Sequence, residues 1–404
     1  MYWIKNHNKE MNDERAIITL KRGKEASLKR RHPWIFSGAI DESGKNQLED
    51  GAMVDVYSHS GEYLCTGHYQ AGSSIAVRIL SFVPRGEDDL WTEKILKAWE
   101  YRKRIGIADN PDTNIFRLIF SEGDGLSGLI VDYYDGVAVL QAHSMGMYLS
   151  RHAIANTISK VLGKRLKAVF NKSRETMHGK AGPIENEYIL GSAEDSKVVM
   201  ENGNRFSVNW ATGQKTGFFI DQRENRKLAG SYCSGKRVLN TFCYTGGFSV
   251  YAGMNGALEI HSVDSSKNAI SIAEENMQLN GISGYQLFAE DVFSFLGTCD
   301  EYDLIILDPP AFAKKLNARH QAVIGYKRLN EAAIKKIRPG GILFTFSCSQ
   351  VVDKRLFQDT IIAAAIEAGR NIRIMRLLGQ PEDHPVDIFH PEGEYLKGLA
   401  LYVE

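Results

Sequence analysis

The residues of this chain best suited to chemistry are a thiol and a carboxylate, each placed just after an apolar run. Asp308-Pro309-Pro310 follows the run Tyr302 to Leu307, and Ser347-Cys348-Ser349 follows the run Ile342 to Phe346. Short apolar runs of this kind read as buried strands of a parallel sheet. Ligands of open α/β sheets bind at the carboxyl ends of the strands, so Cys348 and Asp308 are expected on one edge. Other readings stay open at this point: Cys348 as a small buried residue closing a strand, and Asp-Pro-Pro as a rigid loop.

A second group lies upstream. Val238 to Ser249 runs from a strand through Thr245-Gly246-Gly247 into a helix, with Asn240 inside the strand. Glycines allow a sharp turn and a close backbone approach to a ligand, and the following helix offers unpaired N–H groups. Asp264 ends the next apolar run, seventeen residues after Gly247, with Ser265 beside it. An acid there can accept from both ribose hydroxyls of an adenosine. Asp291, after the third run, reads either as a partner of the adenine amino group or as a solvated loop acid. The turn is not G-x-G-x-x-G, so the tight pyrophosphate approach of a dinucleotide site is missing. Arg338-Pro339-Gly340-Gly341 before the strand of Ile342, together with Asp308-Pro309-Pro310, resembles class I methyltransferases. The expected cofactor is S-adenosylmethionine.

With a methyl donor at the same edge, the thiol and carboxylate acquire a reaction: methylation at carbon 5 of cytosine. That carbon attacks a methyl sulfonium only after a thiolate has added to carbon 6. A free cysteine, with a pKa of about 8.5, is only a few per cent thiolate near pH 7. A protonated or hydrogen-bonding Asp308 near nitrogen 3 would help the ring accept electron density. No residue identifies itself as the base that removes the carbon 5 proton.

Three stretches of chain must position these groups. Residues 16 to about 85 carry short strands between Gly- and Ser-bearing turns and read as a small β-barrel. Residues 86–195 read as a small α+β domain, with helices over 90–105 and 148–162 and a hairpin turning at Asp135-Gly136. Residues 196–404 alternate strand and helix, including a helix over 265–280 stopped at Gly281, which predicts a largely parallel sheet covered on both faces. The fold class is therefore α/β, a Rossmann-like domain preceded by a β-barrel and an α+β domain.

Composition narrows the function classes. The chain has 404 residues, 49 basic and 49 acidic, and formal net charge zero. No apolar run approaches the roughly 18 residues of a membrane span, and the polar N-terminus lacks a signal-peptide core, so the cytoplasm is expected. The five cysteines show no C-x-x-C spacing, and no metal site is expected. Lys21, Arg22, Lys24, Lys29, Arg30 and Arg31 fall within eleven positions, against one acid, Glu25. Such a cluster contacts phosphate even in a neutral protein. Trp34 and Phe36, just beyond it, read as barrel core rather than as base-stacking residues.

The chain resembles the bacterial large-subunit ribosomal RNA cytosine-5 methyltransferases with an N-terminal PUA domain, from Ile17 to Val403. Lys21 to Lys24, His32 to Ile40, Ser121 to Asp132, Thr212 to Arg223 and Pro391 to Leu399 carry the likeness. The resemblance implies a PUA-like RNA-binding domain over 1–85, the α+β domain over 86–195, and a methyltransferase domain over 196–404. It implies that the cofactor also lies against Phe219 and Asp221, that Cys348 is the nucleophile, and that ribosomal RNA is the partner. Residues 1–15 have no counterpart in the family and are open to disorder. Ala311 stands where many RNA cytosine-5 methyltransferases carry a second cysteine. A neighbouring family with a similar Asp-Pro-Pro strand methylates guanine nitrogen 7, and that remains the alternative enzyme. A non-catalytic, cofactor-sensing assembly factor is the alternative outside enzymes. A homodimer, the target nucleotide and the assembly stage of the substrate stay open.

Overall fold

The computed structural model describes residues 15–41, 48–177, 184–313 and 315–404. The stretch 1–15 therefore lies, apart from Arg15, outside the described residues. The chain forms two compact units. One reaches to Ala108 and includes Arg117–Ala193 and Pro385–Pro391; the other comprises Asp109–Phe116, Glu194–His384 and Glu392–Glu404.

The first unit begins with β1 (Ala16–Thr19), the short helix α1 (Ala26–Lys29), β2 (Trp34–Phe36), β3 (Met53–Tyr57), β4 (Tyr63–Tyr69) and β5 (Ile75–Ser81). Spatial order is β1-β3-β4-β5-β2. A bridge from Leu20 to Ile40 draws the two edges together, giving the sheet its barrel-like closure. Ile18, Leu20, Ile35, Val54, Val56 and Val77 fill its interior. Phe36 departs from the core expectation: it is 48% exposed. Trp34 is half-buried, and its Nε1 donates to Glu122 Oε1 at 2.9 Å. Successive residues of a strand face opposite sides, and on β2 Ile35 takes the inward place.

Helix α2 (Glu87–Arg104) follows, with Glu87, Asp88 and Asp89 in its first turn and Arg102, Lys103 and Arg104 in its last. That polarity complements the helix dipole. Beyond it stand β6 (Ile115–Phe120), β7 (Leu129–Tyr134), β8 (Val137–Ala142), β9 (Ala168–Asn171) and β10 (Glu187–Leu190), in the order β10-β9-β8-β7-β6. The β7–β8 hairpin turns at Asp135 and Gly136, both with positive φ. The helix expected over 148–162 is two helices, α3 (Met145–Leu149) and α4 (Arg151–Leu162), broken at Ser150. Gly123 is glycine for a reason: a Cβ there would fall 1.9 Å from the Pro385 carbonyl oxygen.

The second unit opens with the hairpin β11 (Ser196–Glu201) and β12 (Asn204–Asn209), then α5 (Arg223–Gly230). Strands and helices then alternate: β13 (Arg237–Thr241), α6 (Gly247–Met254), β14 (Glu259–Val263), α7 (Lys267–Leu279), β15 (Tyr285–Phe288), α8 (Val292–Thr298), β16 (Tyr302–Leu307), α9 (Arg319–Lys335), β17 (Ile337–Ser347) and α10 (Lys354–Ala368). Two strands close the chain, β18 (Ile372–Leu378) and β19 (Lys397–Val403). The seven-stranded sheet runs β15-β14-β13-β16-β17-β19-β18, parallel up to β17, with β19 antiparallel to both its neighbours. The Pro-Gly-Gly turn is not outside its strand. It is an irregularity inside β17, where pairing with β16 shifts, and a Cβ on Gly341 would lie 2.8 Å from the Asp303 carbonyl.

Candidate active site

The turn after β13 is built from alternating left-handed residues: Phe242 (φ 51°), Tyr244 (φ 48°) and Gly246 (φ 78°). Two of these carry side chains, a conformation that persists only where the surroundings hold it. Asp264, at the end of β14, supplies part of that hold. Its Oδ2 accepts from Tyr244 N at 3.0 Å, and its Oδ1 accepts from Ser266 N at 2.9 Å. The carboxylate is thus pinned between two turns while each oxygen keeps a further lone pair. Asp264 remains partly exposed and Ser265 is exposed.

The glycines are required by packing. A Cβ on Gly246 would sit 3.0 Å from the Ala273 Cβ of α7, and one on Gly247 would sit 3.0 Å from Arg226 Cδ of α5. Their small size lets α6 nest between those helices. Polar capacity is nevertheless left over. Asn240 Oδ1 and Thr245 Oγ1 are buried and find no hydrogen-bond partner among the described residues. Buried groups of this kind are rare unless something else satisfies them, and they fit a polar cofactor laid along the turn. Asp291 caps α8, its Oδ1 accepting from Ser294 N at 2.9 Å.

Phe219 and Asp221 are held from two sides. Arg226 forks onto Glu201 at 2.9 and 2.8 Å and donates from Nη1 to the Phe219 carbonyl at 2.9 Å. Lys215 Nζ lies 4.3 Å from the Phe219 ring centre and 3.1 Å from Asp221 Oδ2. The same oxygen accepts from Tyr395 OH at 2.5 Å. Phe219 also meets Tyr244 of the glycine turn edge-on, with ring centres 5.1 Å apart.

Asp308 and Cys348 emerge from neighbouring strands, since Leu307 of β16 pairs with Thr345 of β17. Pro309 is buried behind Asp308. The Asp308 carboxyl is pushed up to about 7, first by burial and then by the nearby Asp221 carboxylate, against the pull of Lys215, Gln222 and Arg226. Near neutrality it therefore holds its proton much of the time. The Cys348 thiol is also raised, by burial and then by Asp308, while Lys215 and Lys397 pull it down. Cys348 is half-buried, whereas Cys65, Cys233 and Cys243 are fully buried with thiols pushed up by desolvation.

The six basic residues expected to meet RNA, Lys21, Arg22, Lys24, Lys29, Arg30 and Arg31, lie in the first unit, and all are exposed. Arg22, Lys29 and Arg31 line a cleft of about 640 Å³ together with Glu25, Tyr63 and Phe82.

Four of the residues around this site, Lys215, Gln222, Tyr395 and Lys397, fall inside the family motifs, although their roles are not readable there. A basic residue and a tyrosine within otherwise apolar or glycine-rich motifs are the available signal for them. Glu201 and Arg226 lie outside those motifs and carry no local signal, because only the fold makes them partners.

Residues 18–82 match a family of PUA-like domains, and residues 126–391 match a family of S-adenosylmethionine-dependent methyltransferases. The chain is 38% identical over 397 residues to a protein named Ribosomal RNA large subunit methyltransferase I from Aeromonas hydrophila, covering 96% of this chain and 99% of that one. Proteins of the same name from Photobacterium profundum and Escherichia coli are 37% identical over the same shares. Among solved structures, a putative SAM-dependent methyltransferase from Streptococcus mutans superposes with a TM-score of 0.81 at 22% identity, covering 96% of this chain and 99% of that one. A putative methyltransferase complexed with SAH gives the same values. These two likenesses speak to the fold.

Proposed function

This chain belongs to the S-adenosylmethionine-dependent methyltransferases, and from that premise we propose that it methylates carbon 5 of a cytosine in large-subunit ribosomal RNA through a covalent bond from Cys348. The observation that carries the reading is that Cys348 and Asp308 follow adjacent strands at their carboxyl ends, with the Asp308 carboxyl raised by burial. The relatives' shared name supports ribosomal RNA as substrate, and the exposed basic cluster supports a polyanionic partner. A ribosomal RNA substrate implies work in the cytoplasm.

S-adenosylmethionine, when bound, supplies an electrophilic methyl group. Asp264, Asn240 and Thr245 are the residues that would hold it, together with Phe219 and Asp221. Cys348, as thiolate, adds to carbon 6 and opens the 5,6 double bond. Asp308 holds a proton at nitrogen 3 and so accepts the density pushed into the ring, a role open only to its protonated form. Carbon 5, now electron-rich, takes the methyl group. Loss of the carbon 5 proton then re-forms the double bond and expels the thiolate. The target base must leave its stack to reach the thiol, so a single-stranded or distorted site is expected.

One observation favours the guanine nitrogen 7 alternative: the Cys348 thiol is raised, and that reaction needs no thiolate. RNA carrying 5-fluorocytosine separates the two. Fluorine blocks the final elimination, so the enzyme is expected to stall as a protein–RNA adduct that survives denaturing electrophoresis. Absence of the adduct on a substrate whose unmodified form is methylated sinks the cytosine reading.

A further inference from the structure

Lys397 is a buried lysine that the cytosine reaction does not use. It is 5% exposed, at the start of β19. In the antiparallel β17–β19 pair it stands directly opposite Ser347. Its Nζ reaches forward and donates to the Ser349 carbonyl at 2.7 Å and to the Tyr395 carbonyl at 2.7 Å. The side chain thus begins opposite the residue before Cys348 and ends on the residue after it. The register that brings it there is tightly set, since a Cβ on the neighbouring Gly398 would lie 2.4 Å from the Phe346 ring. An ammonium has three N–H donors. Two are engaged by these carbonyls, and the third finds no acceptor among the described residues. Burying an ammonium with incomplete hydrogen bonding is costly, and structural tethering of two carbonyls does not require a charge.

We propose that Lys397 is a positioning residue for Cys348, which fixes the turn carrying the thiol and supplies the positive charge beside which its thiolate forms. The catalytic consequence rests on the cytosine reading; the effect on the thiol does not. The charged and titratable groups facing the thiol are Asp308 from the turn after β16, Asp221 and Lys215 from the segment before α5, Tyr326 from α9 and Lys397 from β19. Those facing Lys397 are Cys348, Glu394, Asp353 and Lys354. Burial lowers the lysine's own affinity for a proton, and an anionic Cys348 restores it. Thiolate and ammonium therefore stabilise one another.

The test is the pH dependence of alkylation of Cys348 by iodoacetamide, followed residue by residue by mass spectrometry in the full-length protein. Lys397→Gln keeps two N–H donors for the two carbonyls but removes the charge. Its alkylation profile is expected to move to higher pH, with a rate near neutrality about tenfold lower for each unit of displacement and an unchanged plateau at high pH. Lys397→Arg keeps the charge and is expected to return the profile most of the way to that of the wild type. Calorimetric binding of S-adenosylmethionine, expected unchanged, certifies that the variants are folded. Coincident profiles for wild type and Lys397→Gln overturn the proposal, as does an Arg variant no closer to wild type than Gln. If Lys397→Gln does not fold, Lys397→Arg still decides: a midpoint displaced well above that of the wild type, with cofactor binding intact, overturns it. The adduct on 5-fluorocytosine RNA is scored separately. A missing adduct with a displaced profile defeats the cytosine reading and leaves the role of Lys397 intact.

Discussion

The carboxyl edge of the seven-stranded sheet and the exposed face around α1 both gather ionisable groups, and they hold them in opposite ways. At the sheet edge, Asp264 is tied to two backbone N–H groups, Asp221 to Lys215 and Tyr395, and Lys397 to two carbonyls. Burial there moves Asp308 up to about 7. Around α1, the six basic side chains stand in solvent. The contrast follows from the work proposed for each. Making and breaking bonds demands fixed geometry and an altered protonation state, which only a packed and desolvated site provides. Attracting a polyanion demands charge at the surface, and geometry matters little.

If this contrast is right, substitutions at the sheet edge act on chemistry and those at α1 on salt-sensitive binding. Cys348→Ala is the most severe. Turnover is expected to fall on the order of a thousandfold or more, with calorimetric affinity for S-adenosylmethionine nearly intact. Near-normal turnover in that variant breaks the comparison at its centre.

Asp308→Asn comes next. The wild-type rate is expected to rise with pH up to about 7 and then level off, because beyond that point the raised Asp308 loses the proton it donates while the raised Cys348 thiol goes on gaining thiolate. Asparagine keeps an N–H donor that does not titrate, so the break near pH 7 should vanish and the rate keep rising, with a rate at pH 6 reduced roughly ten- to a hundredfold. A pH profile that keeps its break near pH 7 in the Asn variant removes Asp308 from the proton-holding role.

Asp264→Ala is expected to weaken cofactor binding by roughly ten- to a hundredfold, since hydrogen bonds to a charged group contribute about 1.5–3 kcal/mol. The same carboxylate also braces the turn through Tyr244 and Ser266, so Asp264→Asn, which can still accept, should lose less. Equal calorimetric affinities for all three proteins rule out a hydrogen bond to the ribose.

The smallest effect at physiological salt belongs to the surface. Neutralising Lys29, Arg30 and Arg31 should lower the slope of log affinity against log salt by about 0.7–0.9 for each phosphate that is no longer neutralised, with turnover at saturating RNA preserved. Unchanged slope and affinity make the cluster an ordinary solvated face.

Much of the fold was legible because it rests on local periodicity. The apolar runs at 302–307 and 342–346 are strands, and the Asp135-Gly136 signal is a hairpin. The breaks in legibility are equally local in cause. Pro339-Gly340-Gly341 reads as a turn by composition, yet it is an irregularity tolerated inside β17. Phe36 reads as core by type, yet on a three-residue edge strand the inward place belongs to Ile35. Asp291 reads as an adenine partner or a solvated loop acid, and within the protein it caps α8.

The amino-acid order by itself determined that the runs at 302–307 and 342–346 are strands and that Asp308 and Cys348 follow them, since both are set by short-range pattern. It did not determine what surrounds them. That was decided by strand order: β19 enters between β17 and β18, not beyond them. The insertion carries Tyr395 to Asp221, 174 residues away, and Lys397 to Ser349, 48 residues away. Electrostatics follows the same logic, because the proton affinity of Asp308 depends on Asp221, Lys215, Gln222 and Arg226, all far from it in the chain. Periodicity is written in neighbours, whereas electrostatics and hydrogen bonding at a site are summed over whatever the tertiary structure brings within a few ångströms.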